Sequence, residues 1–190
     1  KGGTFKNAQS VTLAATETAT IYYTTNNTDP TAASPTYSAP IPITNDTSLK
    51  FFAKDQAGNA EAIKTERYVI DTLPPTGGSI SVNGGAPTAT SQNVTLTLAA
   101  ADPSGVVQMQ FSNDGINWST PEPYSATKTW SLSAGNGAKT VYVRYADALG
   151  NWTTATIAAT VNLQVAARPA DPKGLQIGEA TATSVSLSWN

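Results

Sequence analysis

The sequence contains no cysteine and no histidine, and only 13% of its 190 residues are charged. Cysteine and histidine supply the ligands of ordinary structural zinc sites and of most haem groups. Histidine is also the base of Ser-His-Asp triads, and cysteine is the nucleophile of thiol enzymes. These classes of site are therefore excluded. Without cysteine there are also no disulfides to indicate the redox compartment.

Charge of either sign is scarce, since 11 basic and 13 acidic residues leave a net charge of -2. No basic stripe is available for a phosphate backbone, so nucleic acid is not expected as a partner. No apolar run approaches the roughly 18 residues of a membrane span, so we expect no membrane insertion. A polar, weakly charged surface is typical of exported β-proteins, and we expect an extracellular or bacterial cell-surface location. The chain begins with Lys1 and shows no signal peptide, which favours an internal piece of a longer or processed chain.

Short alternating segments dominate the sequence. Each is rich in β-branched and aromatic residues and is bounded by Gly, Pro, Asn or Asp, as in all-β sandwiches. The predicted strands are SVTLAAT at 10–16, TIYYTT at 20–25, SLKFFAKD at 48–55, NVTLTLAA at 93–100, VVQMQFSND at 106–114, TWSLS at 129–133 and KTVYVRYAD at 139–147.

An internal repeat divides the chain. KDQAGNA at 54–60 returns as ADALGNW at 146–152, and SVTL, YYTTNN and TYSAP at 10, 22 and 36 have counterparts in the same order at 93, 110 and 123. Such self-similarity indicates two related modules. We therefore predict tandem antiparallel Ig-like β-sandwiches at 1–72 and 73–165, joined by a short, stiff, Pro-containing linker. Residues 166–190 are predicted to be a linker and the first two strands of a third, incomplete module.

The alternation within the two matching strands assigns their faces, because successive side chains point to opposite sides of a sheet. The uncharged face is predicted to lie in the core: Leu49, Phe51 and Ala53 in one copy, and Val141, Val143 and Tyr145 in the other. The opposite face carries Lys50, Phe52, Lys54, Tyr142, Arg144 and Ala146. Further predicted core residues are Val11, Leu13, Tyr23, Val94, Leu96, Met109, Phe111, Trp130 and Leu132.

Four marks in the first module resemble those of the chitobiase/β-hexosaminidase C-terminal domain family. They are the IYYT strand, the following Asp-Pro, the YSAPI segment and the final AKDQAGN hairpin. The second module, with FSNDGINW and DALGN, is similar to a bacterial Ig-like repeat. SVSLSW near the end resembles the second strand of a fibronectin type III domain. These resemblances imply non-catalytic modules of exported bacterial proteins, and the hexosaminidase barrel with its catalytic carboxylates is not in this sequence.

The repeated Asp-x-x-Gly-Asn admits three interpretations, namely a catalytic pair, a hairpin turn or a metal loop. A glycosidase needs two carboxyl groups roughly 5–9.5 Å apart, but the acidic residues here are mostly solitary and lie in turns. We therefore expect no catalytic residues and no enzyme activity. Asp accepting backbone amides, with Gly and Asn at positions that need a positive φ, favours a hairpin turn.

A calcium site is a hypothesis for the second copy alone. In a sandwich, the incoming linker lies near the loops after the second and sixth strands, which here carry Asp71, Asp102 and Asp147. Three carboxylates, with Asn151 or backbone carbonyls, would form an oxygen cage for Ca²⁺. The first module offers only Glu17 at the matching loop. No other cofactor is expected.

Aromatic residues suggest a second hypothesis, a stacking platform for sugar rings. The candidates are Trp118, Tyr124, Trp130 and Trp152, with Trp152 and Trp118 as the predicted ligand-binding residues. Burial in the core is the competing interpretation, since tryptophan stabilises mainly through buried area. Trp152 is the better exposed candidate, because the first module has Ala60 at that position.

The sequence as a whole favours a non-catalytic spacer or presentation segment of an exported multidomain protein. Its expected partners are neighbouring domains of the same longer chain, together with carbohydrate or other surface proteins. Two alternatives stay open at this point. One is a carbohydrate-binding accessory module of a polysaccharide-degrading enzyme, and the other is a calcium-stiffened adhesin stalk.

Overall fold

A computed structural model describes residues 1–166 together with the short segments 176–177 and 187–188. The segments form two antiparallel strands, β15 (Gln176–Ile177) and β16 (Leu187–Ser188). The rest of the predicted third module lies outside the described residues. Within the described part, no helix has both the length and the apolar character to cross a membrane.

The range predicted as the first module, residues 1–72, contains six strands. They pair into a four-stranded sheet of order β1-β6-β5-β3 and a two-stranded sheet formed by β2 and β4. The strands are β1 (Gly3–Phe5), β2 (Gln9–Val11), β3 (Ala19–Thr24), β4 (Ile41–Ile43), β5 (Thr47–Asp55) and β6 (Lys64–Ile70).

The range predicted as the second module, residues 73–165, contains eight strands. One sheet has the order β11-β10-β13-β14-β8 and the other the order β12-β9-β7. The strands are β7 (Thr76–Val82), β8 (Thr88–Ala89), β9 (Asn93–Ala101), β10 (Val106–Ser112), β11 (Glu122–Pro123), β12 (Thr127–Ser131), β13 (Gly137–Asp147) and β14 (Ile157–Leu163). A 3₁₀ turn at Asn83–Gly85 follows β7.

The six strands of the first module have counterparts in the same sheet order in the second, which confirms the predicted all-β fold of tandem sandwiches. The order β1-β6-β5-β3 corresponds strand for strand to β8-β14-β13-β10, and the pair β2-β4 corresponds to β9-β12. Among the described strands, pairing stays within residues 3–70, within 76–163 and between β15 and β16. The predicted division at residue 72 itself stays a prediction.

Each module has its own apolar core. In the second module, the buried cluster includes Leu96, Phe111, Val141 and Tyr145, none of which is measurably exposed. In the first module, the cluster is smaller and centres on Ile43 and Leu49. All the predicted core residues lie in these clusters or pack against them, except Ala53, which is partly buried beside Phe51. Alternation therefore identified the inward faces of the strands.

Two parallel pairs depart from the predicted antiparallel arrangement. β1 runs parallel to β6, and β8 runs parallel to β14. In each module a short early strand, β1 or β8, thus joins the sheet edge beside the last strand. Strands of three and two residues give no periodicity by which a sequence would reveal such pairing.

The prediction of a strand over 10–16 is wrong beyond Val11. β2 pairs with β4 so that Val11 lies opposite Ile41. β4 begins at Ile41, so the ladder extends no further than Val11. The strand ends there, although Leu13 still packs against the core.

Candidate functional site

The first Asp-x-x-Gly-Asn motif is a hairpin turn held by its own side chains. The backbone N of Asn59 donates to Asp55 Oδ1 at 2.8 Å, and Asn59 Nδ2 donates to Asp55 Oδ2 at 2.7 Å. Gly58 has a φ of 94°, a conformation that L side chains rarely adopt. The side-chain hydrogen bond from Asn59 lowers the pKa of Asp55 below its ordinary value.

The second motif repeats this geometry. The backbone N and Nδ2 of Asn151 donate to the two carboxylate oxygens of Asp147 at 2.8 and 2.7 Å, and Gly150 has a φ of 77°. The backbone N of Leu149 adds a bond of 2.9 Å to Asp147 Oδ1. The predicted hairpin turn is thus confirmed in both copies.

Burial distinguishes the two copies. Asp147 is 1% exposed and Asn151 is 6% exposed, whereas Asp55 is only partly buried. Burial by itself raises the pKa of Asp147, but backbone and side-chain hydrogen bonds from Asn151 outweigh it, so the pKa lies below its ordinary value. The second hairpin therefore has a buried, ionised carboxylate at Asp147.

The second hairpin also contacts the first module. Asn151 Nδ2 also donates to the backbone oxygen of Asp71 at 3.0 Å, and Lys6 Nζ donates to the backbone oxygen of Gly150 at 2.6 Å. Asp71 is in turn held to the first module, because its backbone N donates to the oxygen of Phe5 at 2.9 Å. We call these contacts the junction.

The linker is short and constrained. β6 ends at Ile70 and β7 begins at Thr76, which leaves residues 71–75 between the modules. Pro74 and Pro75 have fixed φ, and Pro75 is buried. Asp71 Oδ1 accepts the backbone N of Leu73 at 3.1 Å, a local turn at the start of the linker. The connection therefore has few free torsions.

The three carboxylates of the calcium hypothesis meet at the junction. Asp71, Asp102 and Asp147 each place one carboxylate oxygen within 4.8 Å of the others. Asp102 Oδ1 also accepts the backbone N and the hydroxyl of Ser104, at 2.8 and 2.6 Å. The loop arrangement foreseen from the sequence is present, and calcium binding itself stays a prediction.

Trp118 and Trp152 also come together, around a residue that the sequence analysis did not single out. The guanidinium carbon of Arg144 lies over both indoles, 4.5 Å from the ring centroid of Trp118 and 5.2 Å from that of Trp152. Arg144 Nε donates to Gln110 Oε1 at 2.8 Å. A signal was available, because Arg144 is two residues before Ala146, which pairs with Trp152 across the hairpin. Whether the two indoles bind sugar stays a prediction.

The other two aromatic candidates are structural. Trp130 packs against the core, 5.3 Å from Phe111 between ring centroids, and its Nε1 donates to Asn113 Oδ1 at 2.8 Å. Tyr124 packs edge-on against Tyr145 at 5.9 Å. Burial accounts for both residues, as the competing interpretation proposed.

A groove of about 410 Å³ opens beside the Arg144 cluster. Trp118 and Trp152 line it, together with Tyr142, Thr154 and Thr156. Arg144 is the one charged side chain in this lining, within the part of the chain that the structure describes. We call it the arginine groove.

These features define tandem β-sandwich modules with a hydrogen-bonded junction and a groove on the second module. The family described as Chitobiase/beta-hexosaminidase C-terminal domain matches residues 1–65, which confirms the resemblance of the first module. No curated protein sequence matches the chain.

Solved structures of fibronectin type III modules are similar to this chain. The CbhA fibronectin(III)-like modules of Clostridium thermocellum align with a TM-score of 0.40 and 15% identity, covering 86% of this chain and 89% of theirs. The FN1-FN3 domains of chicken CNTN1 align with a TM-score of 0.33 and 13% identity, covering 90% of this chain and 65% of theirs. Likenesses this low carry no conclusion about function.

Proposed function

We propose that this chain is a non-catalytic spacer and presentation segment of an exported multidomain protein of bacteria. The junction is the observation that supports the proposal. Hydrogen bonds from Asn151 to Asp71 and from Lys6 to Gly150 fix the second hairpin against the first module. A flexible tether would need none of these contacts, whereas a spacer that sets a distance needs them.

The modules themselves supply stiff length. β13 has 11 residues, so it extends about 36 Å at about 3.3 Å per residue. Hydrogen-bonded sheets and a packed core resist stretching and bending along this length. Two such modules with a constrained linker hold neighbouring domains of the longer chain apart, and exposed loops are available for contacts with other surface proteins.

Location outside the cell belongs to the same proposal. A charged fraction of 13%, with Thr, Ser and Asn in place of Lys and Glu, supports it, as does the family of the first module. Labelling of intact cells with an antibody raised against the chain tests it. Labelling that needs permeabilised cells would contradict the surface location.

The spacer proposal predicts that the two modules tumble as one body. In ¹⁵N relaxation and residual dipolar coupling measurements, residues 3–70 and 76–163 should fit one rotational diffusion tensor and one alignment tensor. A flexible Gly-Ser insertion after Leu73 is the control and should yield two tensors. Separate tensors in the unaltered chain would rule out a rigid spacer.

A calcium-stiffened stalk is the second candidate function. The observation that favours this candidate is the carboxylate cluster of Asp71, Asp102 and Asp147, whose ligand oxygens lie within 4.8 Å of one another. Asp71 belongs to the linker, and Asp102 and Asp147 belong to the second module. Oxygen ligands of this kind suit Ca²⁺. An ion there would join the linker to two loops and limit bending at the junction.

Calcium should therefore raise the thermal stability of the chain. At a free concentration ten times Kd, binding to the folded state alone contributes about 1.4 kcal/mol. Asp102→Asn keeps an oxygen for Ser104 but loses the charge, so it should weaken the rise measured by calorimetry. Asp114→Asn, at the other end of β10, should leave it intact. An unchanged melting temperature with Ca²⁺ and with chelator would dispose of this candidate.

A further inference from the structure

We propose that the arginine groove binds a carboxylated saccharide, with Arg144 holding the carboxylate and the indoles of Trp118 and Trp152 contacting the sugar ring. The spacer role does not require such a site. The inference rests on the second module alone and is independent of the junction.

Arg144 is held in place while part of its guanidinium stays available. Arg144 Nε donates a hydrogen bond to Gln110 Oε1 at 2.8 Å, and the guanidinium lies over both indoles. Within residues 1–166, Nη1 and Nη2 donate no hydrogen bond, and neither is cut off from solvent. No carboxylate oxygen of residues 1–166 lies within 4.0 Å of the guanidinium nitrogens of Arg144. A planar fork of this kind is suited to a carboxylate.

The first module shows that the fold does not require these residues. Tyr22 lies opposite Phe52 on β3 and β5, at the positions that Gln110 and Arg144 occupy on β10 and β13. There the pair is a ring stack with centroids 5.3 Å apart, and Phe52 is 8% exposed. The equivalent strand pair thus carries two stacked aromatic rings at these positions in the first module. In the second module it carries a guanidinium beside two indoles.

The lining of the groove specifies the class of ligand. One positive charge in a chain of net charge -2 favours a ligand group with a single negative charge over a polyanion such as nucleic acid. Both indoles are half-buried beside Arg144 and line the groove, and an aromatic ring suits the apolar C–H face of a sugar ring. Thr154 and Thr156 add hydroxyls for sugar oxygens. A uronate ring combines these three features.

Titration of the full chain with short oligogalacturonate tests the proposal, with the fully methyl-esterified oligomer as the neutral match. By NMR, the indole N–H signals of Trp118 and Trp152 should shift, and that of Trp130, which is bonded to Asn113, should not. Calorimetry should give about tenfold weaker binding for the ester, because the charge-assisted hydrogen bonds are lost. Oligoglucuronate and alginate oligomers are tested in parallel.

Substitutions locate the site. Arg144→Gln should weaken binding of the acidic oligomer about tenfold and leave the ester unaffected. Arg67→Gln removes the same charge from the first module and should change nothing. Trp152→Ala should weaken binding of both oligomers, and the first module tolerates Ala60 at this hairpin position. Equal affinity for acid and ester, equal binding of oligo-aspartate, or no shift of either indole with any of the three acidic oligomers would overturn the proposal.

Discussion

Phe111→Ala is expected to lower the free energy of unfolding of the second module by about 3–5 kcal/mol, the usual cost of removing a buried ring. The side chain is not measurably exposed, and it lies in the cluster with Leu96 and Val141 that joins the two sheets. Its ring also contacts that of Trp130. Alanine would leave a cavity among neighbours whose backbones are fixed in strands, so little collapse is available to reduce the loss.

Hydrogen exchange followed by mass spectrometry measures this loss for each module separately. Peptides from β9, β10 and β13 should exchange faster in the variant, while peptides from β3 and β5 should change little. Ile116→Ala is the matched control, because Ile116 is 79% exposed and its loss should stay within about 0.5 kcal/mol. An equal rise of exchange in both modules would contradict the expectation that the loss is confined to the second module.

The alternation of apolar and polar residues predicted most of the strands, because each sheet packs against a core on one face only. A register slip by one residue would expose Val141 and Val143, so the sequence of such a strand carries its own orientation. The failure at residues 12–16 has a different origin. The segment alternates as a strand should, but strand pairing also depends on the partner, and the partner β4 has only three residues, Ile41–Ile43.

The sequence predicted those parts of the candidate sites whose position depends only on the order of the strands. In a sandwich the incoming linker lies near the loops after the second and sixth strands, so the meeting of Asp71, Asp102 and Asp147 followed from strand order. The role of Arg144 did not follow, since its position over Trp118 depends on how a loop of several residues folds back after β10. Cross-strand pairing of Ala146 with Trp152 was the one local signal for it.

The two hairpins form an internal matched pair for the last prediction. Asp147→Ala should lower the free energy of unfolding of the second module by about 3 kcal/mol, because it leaves donors of Leu149 and Asn151 buried without the charged acceptor. Asp55→Ala removes the same bonds to Asn59 from a partly exposed turn, where water replaces the carboxylate, so the loss should be smaller. Urea denaturation of the two variants measures the difference. Equal losses would show that burial at the junction adds nothing.

The loss from Asp147→Ala should also depend on pH. The folded-state pKa of Asp147 lies below its unfolded value, so the ionised carboxylate stabilises the fold above about pH 4. As the pH falls below this value, the unfolded state takes up the proton first, and the stabilisation declines through the folded-state pKa. The gap in unfolding free energy between the unaltered chain and Asp147→Ala should therefore narrow from pH 4 downwards and stay constant above pH 5. A gap that widens in acid would mean that Asp147 is stabilised by its protonated form, which is incompatible with a carboxylate that accepts three N–H groups.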